Sequence, residues 1–313
     1  MERKKGEITM SRETEKVFRK LDAFLAQHEP ADEEELDALV RQFMNEHNEA
    51  IRLGQAEEAP EDAYDFLELA ENAKTKKDKL KYIAQALELE PGNLDALLMQ
   101  ASINAKGLDQ FYELLQPILT EGTRQMQAEG HFKNSKGDFW LVYETRPYMR
   151  VREENFSVLI ELGRIRKAIR EGEELLKLCT NDNLGVRYRL MHLYAYTEDI
   201  KGASKLHKEY DNYDDTQMLL PRCVLYYKLE DLETARSFLS RLVQYNKDAK
   251  KFFAAAARDR LDEYYEEMNP FGYRAASMDE LLYCIGENGF LYDTVPCFFA
   301  WANNELKQKK KNV

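Results

Sequence analysis

The sequence contains little glycine and little proline, 14 and 8 residues in a chain of 313. Sandwiches and barrels need many tight turns, and these two residues supply the backbone conformations of such turns. The composition therefore argues against both folds. The chain also lacks long apolar runs, and its longest ones, such as residues 298–302, fall far short of the ~20 residues of a membrane-spanning helix. The charged start, residues 1–6, leads into no apolar segment, so we predict no signal peptide and a cytoplasmic location.

Cysteine is scarce as well. The four cysteines are Cys179, Cys223, Cys284 and Cys297, and no two of them form a Cys-x-x-Cys pair. We expect reduced cysteines that pack as small apolar residues, as in other cytoplasmic proteins. A disulfide between Cys284 and Cys297 is the alternative.

Motifs for catalysis and cofactor binding are missing. The sequence has no Gly-x-Ser-x-Gly nucleophile, no Gly-rich phosphate loop and no His-Glu-x-x-His zinc motif. The five histidines show no metal-ligand spacing, and carboxylate pairs are too abundant to mark an acid–base site. We predict that the protein is not an enzyme and needs no cofactor or metal. A hydrolase with an unrecognised site is a minor alternative.

Positive charge is in the minority. Lysine and arginine number 45 against 57 aspartates and glutamates, which gives a net charge of −12 and a pI near 5.1. Nucleic acids and anionic membranes bind basic faces, so we expect neither as a partner. The one basic run, residues 307–311, suits a helix end, where cations interact favourably with the helix dipole. An RNA or membrane contact of this run is the alternative.

Helical periodicity, in contrast, is abundant. Apolar residues recur at spacings of three and four through nearly every part of the chain. We predict one helix over residues 11–27 and a second from Asp32, where Glu35 completes a capping-box spacing. The apolar stripe of the second helix consists of Leu36, Leu39, Val40, Phe43, Met44 and Ile51. Residues 54–61 break the pattern and predict a linker.

Three segments of the chain are similar to one another. They are residues 162–168, 197–203 and 229–235. Each is a short polar turn followed by a large aliphatic residue and, three positions later, by an alanine. These alanines are Ala168, Ala203 and Ala235, separated by 35 and 32 residues. The period predicts a repeat of two helices.

This pattern resembles the tetratricopeptide-repeat (TPR) family, whose helix–turn–helix unit has about 34 residues. The family places a small residue where the two helices cross, as the three alanines do here, and a large apolar residue three positions earlier. The large apolar residues are Ile165, Ile200 and Leu232. Pro91 stands where the family ends a unit, and the resemblance covers residues 62–106 and 147–250. It implies an all-α fold, namely a right-handed superhelical solenoid of helix-turn-helix repeats.

A closer resemblance lies in residues 137–150 and 181–188. These segments are similar to a group of bacterial TPR proteins related to the suppression-of-tumorigenicity protein, which generally lack an assigned activity. The resemblance supports the fold and implies no chemistry.

The sequence divides into four parts. They are an N-terminal helical segment (1–60), a degenerate TPR-like solenoid (61–260), C-terminal capping helices (261–306) and a basic tail (307–313). The capping helices are predicted to begin at Ser277, with Glu280 completing a capping box, and at Pro296. Such a terminal pair covers the apolar face that the last repeat would expose.

The groove positions of the family give the candidate binding residues. The groove positions hold Arg150, Glu153, Tyr188, His192, Tyr196 and Tyr227. Arg189 is adjacent to them, and Arg146 adds to the local positive charge. Arginine and tyrosine are enriched at binding hot spots, and this aromatic and cationic mixture fits an acidic or aromatic peptide. Tyrosines at helical spacing also pack between repeats, which is the structural alternative.

Our leading hypothesis is a non-enzymatic scaffold for protein–protein interaction that binds a partner peptide or helix in this groove. The alternative is a regulatory sensor or inhibitor that acts through its N-terminal helices, residues 11–53.

Overall fold

A computed structural model describes residues 2–28, 30–53, 60, 62–269 and 272–308. Within these ranges the chain forms eighteen α-helices and no β-strand, which confirms the all-α class. The chain divides into two compact units, Met1–Leu162 and Gly163–Val313.

The described part of the first unit contains eight α-helices, and a 3-10 turn, Tyr143–Thr145, precedes the last of them. The helices are α1 (Glu2–His28), α2 (Glu33–Arg52), α3 (Ala63–Asn72), α4 (Lys76–Leu89), α5 (Leu94–Asn104), α6 (Leu108–Ala128), α7 (His131–Asn134) and α8 (Arg146–Glu161). Helix α4 packs on α3 and α5, and α8 packs on α5 and α6. Helix α6 comes close to α8 at Gly122, where a Cβ atom would lie 2.6 Å from the ring of Tyr148. This close approach fixes α8, which carries three of the candidate residues.

The described part of the second unit contains ten α-helices. They are α9 (Ile165–Leu178), α10 (Val186–Tyr196), α11 (Ile200–Glu209), α12 (Thr216–Lys228), α13 (Leu232–Tyr245), α14 (Ala249–Ala256), α15 (Asp262–Tyr265), α16 (Met278–Glu287), α17 (Gly289–Tyr292) and α18 (Pro296–Gln308). Helix α10 packs on α9, α11 and α12, and α12 packs on α13. The last three helices pack back onto earlier ones: α16 onto α12 and α14, α17 onto α10, and α18 onto α14.

Helix starts follow the capping signals of the sequence. The Asp32 side chain accepts a hydrogen bond from the N–H of Glu35 at 2.9 Å, while the Glu35 carboxylate accepts one from the N–H of Ala31 at 2.8 Å. Ser277 and Glu280 make the same pair of contacts at the start of α16. Both predicted helix starts are therefore confirmed. In each, the glutamate reaches the residue before the cap instead of the cap itself.

The three self-similar segments share one backbone turn. The residue five positions before each alanine has a left-handed conformation, with φ of +66° at Gly163, +59° at Glu198 and +60° at Glu230. A left-handed residue commonly ends a helix, so each turn closes one helix and opens the next. The alanines that follow are buried in α9, α11 and α13: Ala168, Ala203 and Ala235. The segments are therefore equivalent in local structure.

The four cysteines are free, and the alternative disulfide between Cys284 and Cys297 is not formed. Among the helices of the described ranges, none combines the length and the apolar character needed to cross a bilayer. Two predictions lie partly outside the described residues: the linker over 54–61 and the part of the basic run beyond residue 308.

Candidate functional site

The candidate residues fall in both units. Arg146, Arg150 and Glu153 lie on α8 of the first unit. The others lie in the second unit, on α10 and α12: Tyr188, Arg189, His192, Tyr196 and Tyr227.

Arg150 is the centre of a buried ion network in the first unit. Its side chain is only 3% exposed, and its guanidinium donates to Asp95 of α5 at 2.8 and 2.5 Å and to Glu15 of α1 at 2.7 and 2.9 Å. Burial by itself would lower the pKa of Arg150, but the two carboxylates hold that pKa above its usual value. Burial would likewise raise the pKa of Asp95, and the guanidiniums of Arg150 and Arg12 instead lower it to about 2. The sequence predicts an accessible Arg150; the structure buries it as a structural cation.

Its neighbours on α8 are also engaged. Arg146 donates from Nε to the carbonyl oxygen of Trp140 at 2.7 Å, and one of its Nη atoms lies 3.8 Å from Glu15. Burial lowers the pKa of Arg146. Glu153 accepts a hydrogen bond from Ser157 at 3.3 Å. The positive charge that predicts an acidic ligand is thus compensated within the first unit.

Helix α1 is bound to α3 by charged side chains. Lys16 lies 2.8 Å from Asp65 and 3.1 Å from Glu68, and Arg12 pairs with Glu71. Burial would lower the pKa of Lys16, but its hydrogen bonds to Asp65 and Glu68 outweigh that effect and raise the pKa to about 12. We call the surface that receives α1, namely Asp65, Glu68, Glu71, Asp95 and Arg150, the α1-binding face.

Aromatic contacts complete the docking of α1. The guanidinium of Arg19 lies 3.4 Å from the ring centroid of Tyr64, and Phe18 stacks on Tyr143 with 5.9 Å between centroids. Among the described side chains of α1 and α2, however, only Glu15 is buried. Charge pairs rather than apolar burial therefore hold α1 in place.

His192 lies at the centre of a buried polar cluster in the second unit. Its Nδ1 lies 2.7 Å from the carbonyl oxygen of Tyr188 and its Nε2 lies 2.9 Å from the hydroxyl of Tyr292. A carbonyl only accepts, so these partners assign the proton to Nδ1 and leave Nε2 to accept from the tyrosine. Burial lowers the pKa of His192 to about 4, and the imidazole is neutral at pH 7.

Cys284 lies beside this imidazole, with its Sγ 3.4 Å from Nε2 of His192. A thiol and an imidazole at this distance could form a nucleophile and its base. Burial, however, raises the pKa of the Cys284 thiol far above neutrality, and both side chains are fully buried. A neutral thiol without access to solvent is not an activated nucleophile, so this pair serves packing.

The C-terminal helices cover the remaining aromatic candidates. Tyr196 packs edge-on against Phe290 with 5.8 Å between ring centroids. Tyr227 packs against Phe298 at 5.3 Å and Trp301 at 5.0 Å. The sequence identifies these positions as a groove and α18 as a cap, but it gives no signal that the cap lies on the groove positions.

Tyr188 and Arg189 are partly exposed. The Tyr188 hydroxyl accepts a hydrogen bond from Arg187 at 2.7 Å, and the Arg187 guanidinium lies 4.4 Å from the ring centroid. Burial raises the pKa of the Tyr188 hydroxyl well above its usual value. The role of both residues in binding a partner stays a prediction.

One open cleft of about 510 Å³ lies in the first unit, beside the docked α1. Leu94 and Met126 are buried at its base, Tyr64 and Tyr143 line it, and Arg19 borders it from α1. Within the described ranges, no group of three or more His, Cys, Asp or Glu side chains is arranged to hold a metal ion.

Comparison with known proteins gives no relative. No protein family, no curated protein and no solved structure matches the chain.

Proposed function

We propose that the protein is a non-enzymatic, cytoplasmic scaffold for protein–protein interaction, built as a TPR-like right-handed solenoid. It binds a helix of a partner protein on the α1-binding face. One observation carries this proposal: α3, α5 and α8 already hold a helix, α1, through side chains that face it.

The way in which α1 is held makes it exchangeable. The partly exposed pairs of Arg12 and Lys16 are each worth about 0.2–1 kcal/mol, and α1 contributes no buried apolar side chain among its described residues. In the buried pair of Glu15 with Arg150, a carboxylate of the partner helix has to replace Glu15. Elements with few buried apolar contacts open at low free energy. A partner helix that makes the same pairs can therefore take the place of α1.

The contacts also favour a particular partner chemistry. The α1-binding face presents the carboxylates of Asp65, Glu68 and Glu71 in one row along α3. Residues three apart lie on one side of a helix, so a partner helix with cations at matching spacing pairs with the whole row. The sequence predicts an acidic or aromatic partner; these contacts support a basic helix instead.

Peptide binding to the intact chain tests the proposal. The probe is a fluorescent peptide of residues 10–28, and the protein carries Arg12→Glu and Lys16→Glu to weaken its own α1. We expect the peptide to bind this variant about tenfold more tightly than wild type or better, because in wild type the tethered α1 competes at high effective concentration. Fluorescence anisotropy measures both affinities.

Charge reversal supplies the control. Adding Asp65→Lys and Glu68→Lys to the opened variant should weaken peptide binding, and a peptide with Lys16→Glu should recover it. Glu266→Lys with Glu267→Lys changes the net charge equally at exposed residues of the second unit and should leave binding unchanged. Absence of binding to the opened variant, or binding that ignores the reversal on α3, would contradict the proposal.

A further inference from the structure

Helix α2 has an apolar side that is only partly covered in the described structure. It is 20 residues long, and none of them is buried. Leu36, Met44 and Ile51 are 36%, 37% and 67% exposed. Residues at these intervals lie on one side of a helix. A surface helix normally turns its apolar stripe toward a core, so this stripe is an exception in the fold.

Helix α1 covers only part of this apolar side. The rings of Phe24 and Phe43 lie 5.6 Å apart between centroids, and Leu39 and Ala50, on the same side of α2 as Phe43, are half-buried. Two helices in contact leave a groove along their seam that a third helix can fill. The exposed residues lie along one side of this seam.

We propose that the exposed stripe of α2, namely Leu36, Met44 and Ile51, is a docking surface for one amphipathic helix of a partner protein, with lysines or arginines flanking its apolar face. This surface is distinct from the α1-binding face, and the inference goes beyond the function proposed above.

Charge selects the occupant. Residues 32–53 carry seven carboxylates and two guanidiniums. A partner helix with basic flanks complements this excess, and electrostatic complementarity sets which partner binds and how fast. A second copy of α2 would bring seven further carboxylates against the first seven, and an anionic membrane surface would also be repelled. The stripe therefore fits a basic helix better than either alternative.

Calorimetric titration of the intact chain with two synthetic peptides tests this inference. Both are about 18 residues long, or five helical turns, with leucines at identical positions. One carries lysines at its polar positions and the other glutamates. We expect the lysine peptide to bind and the glutamate peptide not to bind. Met44→Glu with Ile51→Glu should weaken the lysine peptide about tenfold or more, since it removes the apolar anchors.

Matched variants separate this surface from general attraction to an acidic protein. Leu89→Glu adds charge at an equally exposed leucine of α4 and should leave binding unchanged. Glu46→Lys with Glu49→Lys leaves five carboxylates against four cations in residues 32–53 and should weaken binding of the lysine peptide. Circular dichroism confirms that each variant is folded.

Four results would overturn the inference. The first two are absence of binding by the lysine peptide, and equal binding of that peptide to wild type and to the Met44→Glu, Ile51→Glu variant. The third is a dimer of wild type in sedimentation equilibrium that the variant does not form. The fourth is co-sedimentation of wild type, but not of the variant, with phosphatidylcholine vesicles. The dimer would make the occupant a second copy, and the vesicle result would make it a membrane. None of these results bears on peptide binding at the α1-binding face, so the two proposals fail separately.

Discussion

Buried charges in this protein are compensated in two ways. Arg150 stays charged because Asp95 and Glu15 each accept two hydrogen bonds from its guanidinium, whereas His192 becomes neutral because it is buried with only neutral partners. Burying a charge without a partner costs several kcal/mol of folding free energy. The folded protein therefore either pairs the charged group or shifts its pKa so that the group is neutral. Both residues belong to the predicted binding set, and their environments explain why neither is presented to a ligand.

The depressed pKa of His192 makes stability depend on pH. With a pKa near 6.5 when unfolded and about 4 when folded, the unfolded chain binds the additional proton first as the pH falls. Stability that is present above pH 6.5 is therefore lost between pH 6.5 and 4, by about 3 kcal/mol at most. We expect urea denaturation of His192→Gln to lack this loss, so that its stability approaches that of wild type as the pH falls.

The comparison with the variant matters because Asp182 acts in the opposite direction. Burial raises the pKa of Asp182 to about 6, so its folded form gains protons, and stability, as the pH falls. This contribution is common to both proteins and cancels in the difference. A constant stability gap between wild type and His192→Gln from pH 7 to 4 would refute the role assigned to His192.

Among the helices, those at the two ends differ in how they are attached. Helix α1 is attached by ion pairs, whereas α18 is attached by aromatic burial: Phe298 is fully buried and contacts Tyr227 and Phe253. Apolar burial is worth about 25 cal/mol per Å² and is not screened by salt, whereas the partly exposed ion pairs of Arg12 and Lys16 are weakened by salt. The attachment of α1 therefore suits replacement by a partner helix, whereas the attachment of α18 suits a permanent cover of the second unit.

A truncation tests the closing role of α18. A chain that ends at residue 295 should expose Tyr227 and Phe253 and aggregate, because both rings lose their cover. A chain that ends at Gln308, with α18 intact, is the control and should behave as wild type. Size-exclusion chromatography with light scattering distinguishes the two. A monodisperse protein without α18 would show that the second unit does not depend on this helix.

Across the whole molecule, each of the two compact units has its own core and its own buried polar cluster. In the first unit, the cluster around Arg150 joins α1, α5 and α8. In the second, the cluster around His192 joins α10, α16 and α17. A buried cluster that links distant helices stabilises its unit only while every member has its partner.

Removing Arg150 should therefore destabilise the whole first unit. Arg150→Ala leaves Glu15 and Asp95 buried with only the more distant guanidiniums of Arg146 and Arg12, and the loss of one partner of a buried pair typically costs about 3–5 kcal/mol. We expect faster amide hydrogen exchange through α3, α5 and α8, with α12 and α13 as the internal reference. Arg124→Ala removes an exposed pair with Glu121 and should have little effect. Equal exchange in the two variants would show that the buried network does not stabilise the unit.

The sequence by itself determined the helices of this protein and their local order. Caps such as Asp32 and Ser277, the polar turns and the alanines at the helix crossings follow from hydrogen bonds and periodicity within a few residues, which a single sequence displays. The all-α class follows from the same local signals.

Tertiary structure alone decided which side chains meet. Arg150 finds its partners 55 and 135 residues away along the chain, and His192 meets Tyr292 across 100 residues. The spacing of α8 and α10 predicts which side of each helix Arg150 and His192 occupy, but not which helix covers that side. Such pairing depends on how the helices pack, because the loss of water around each charge and the partner that replaces it are properties of the folded interior.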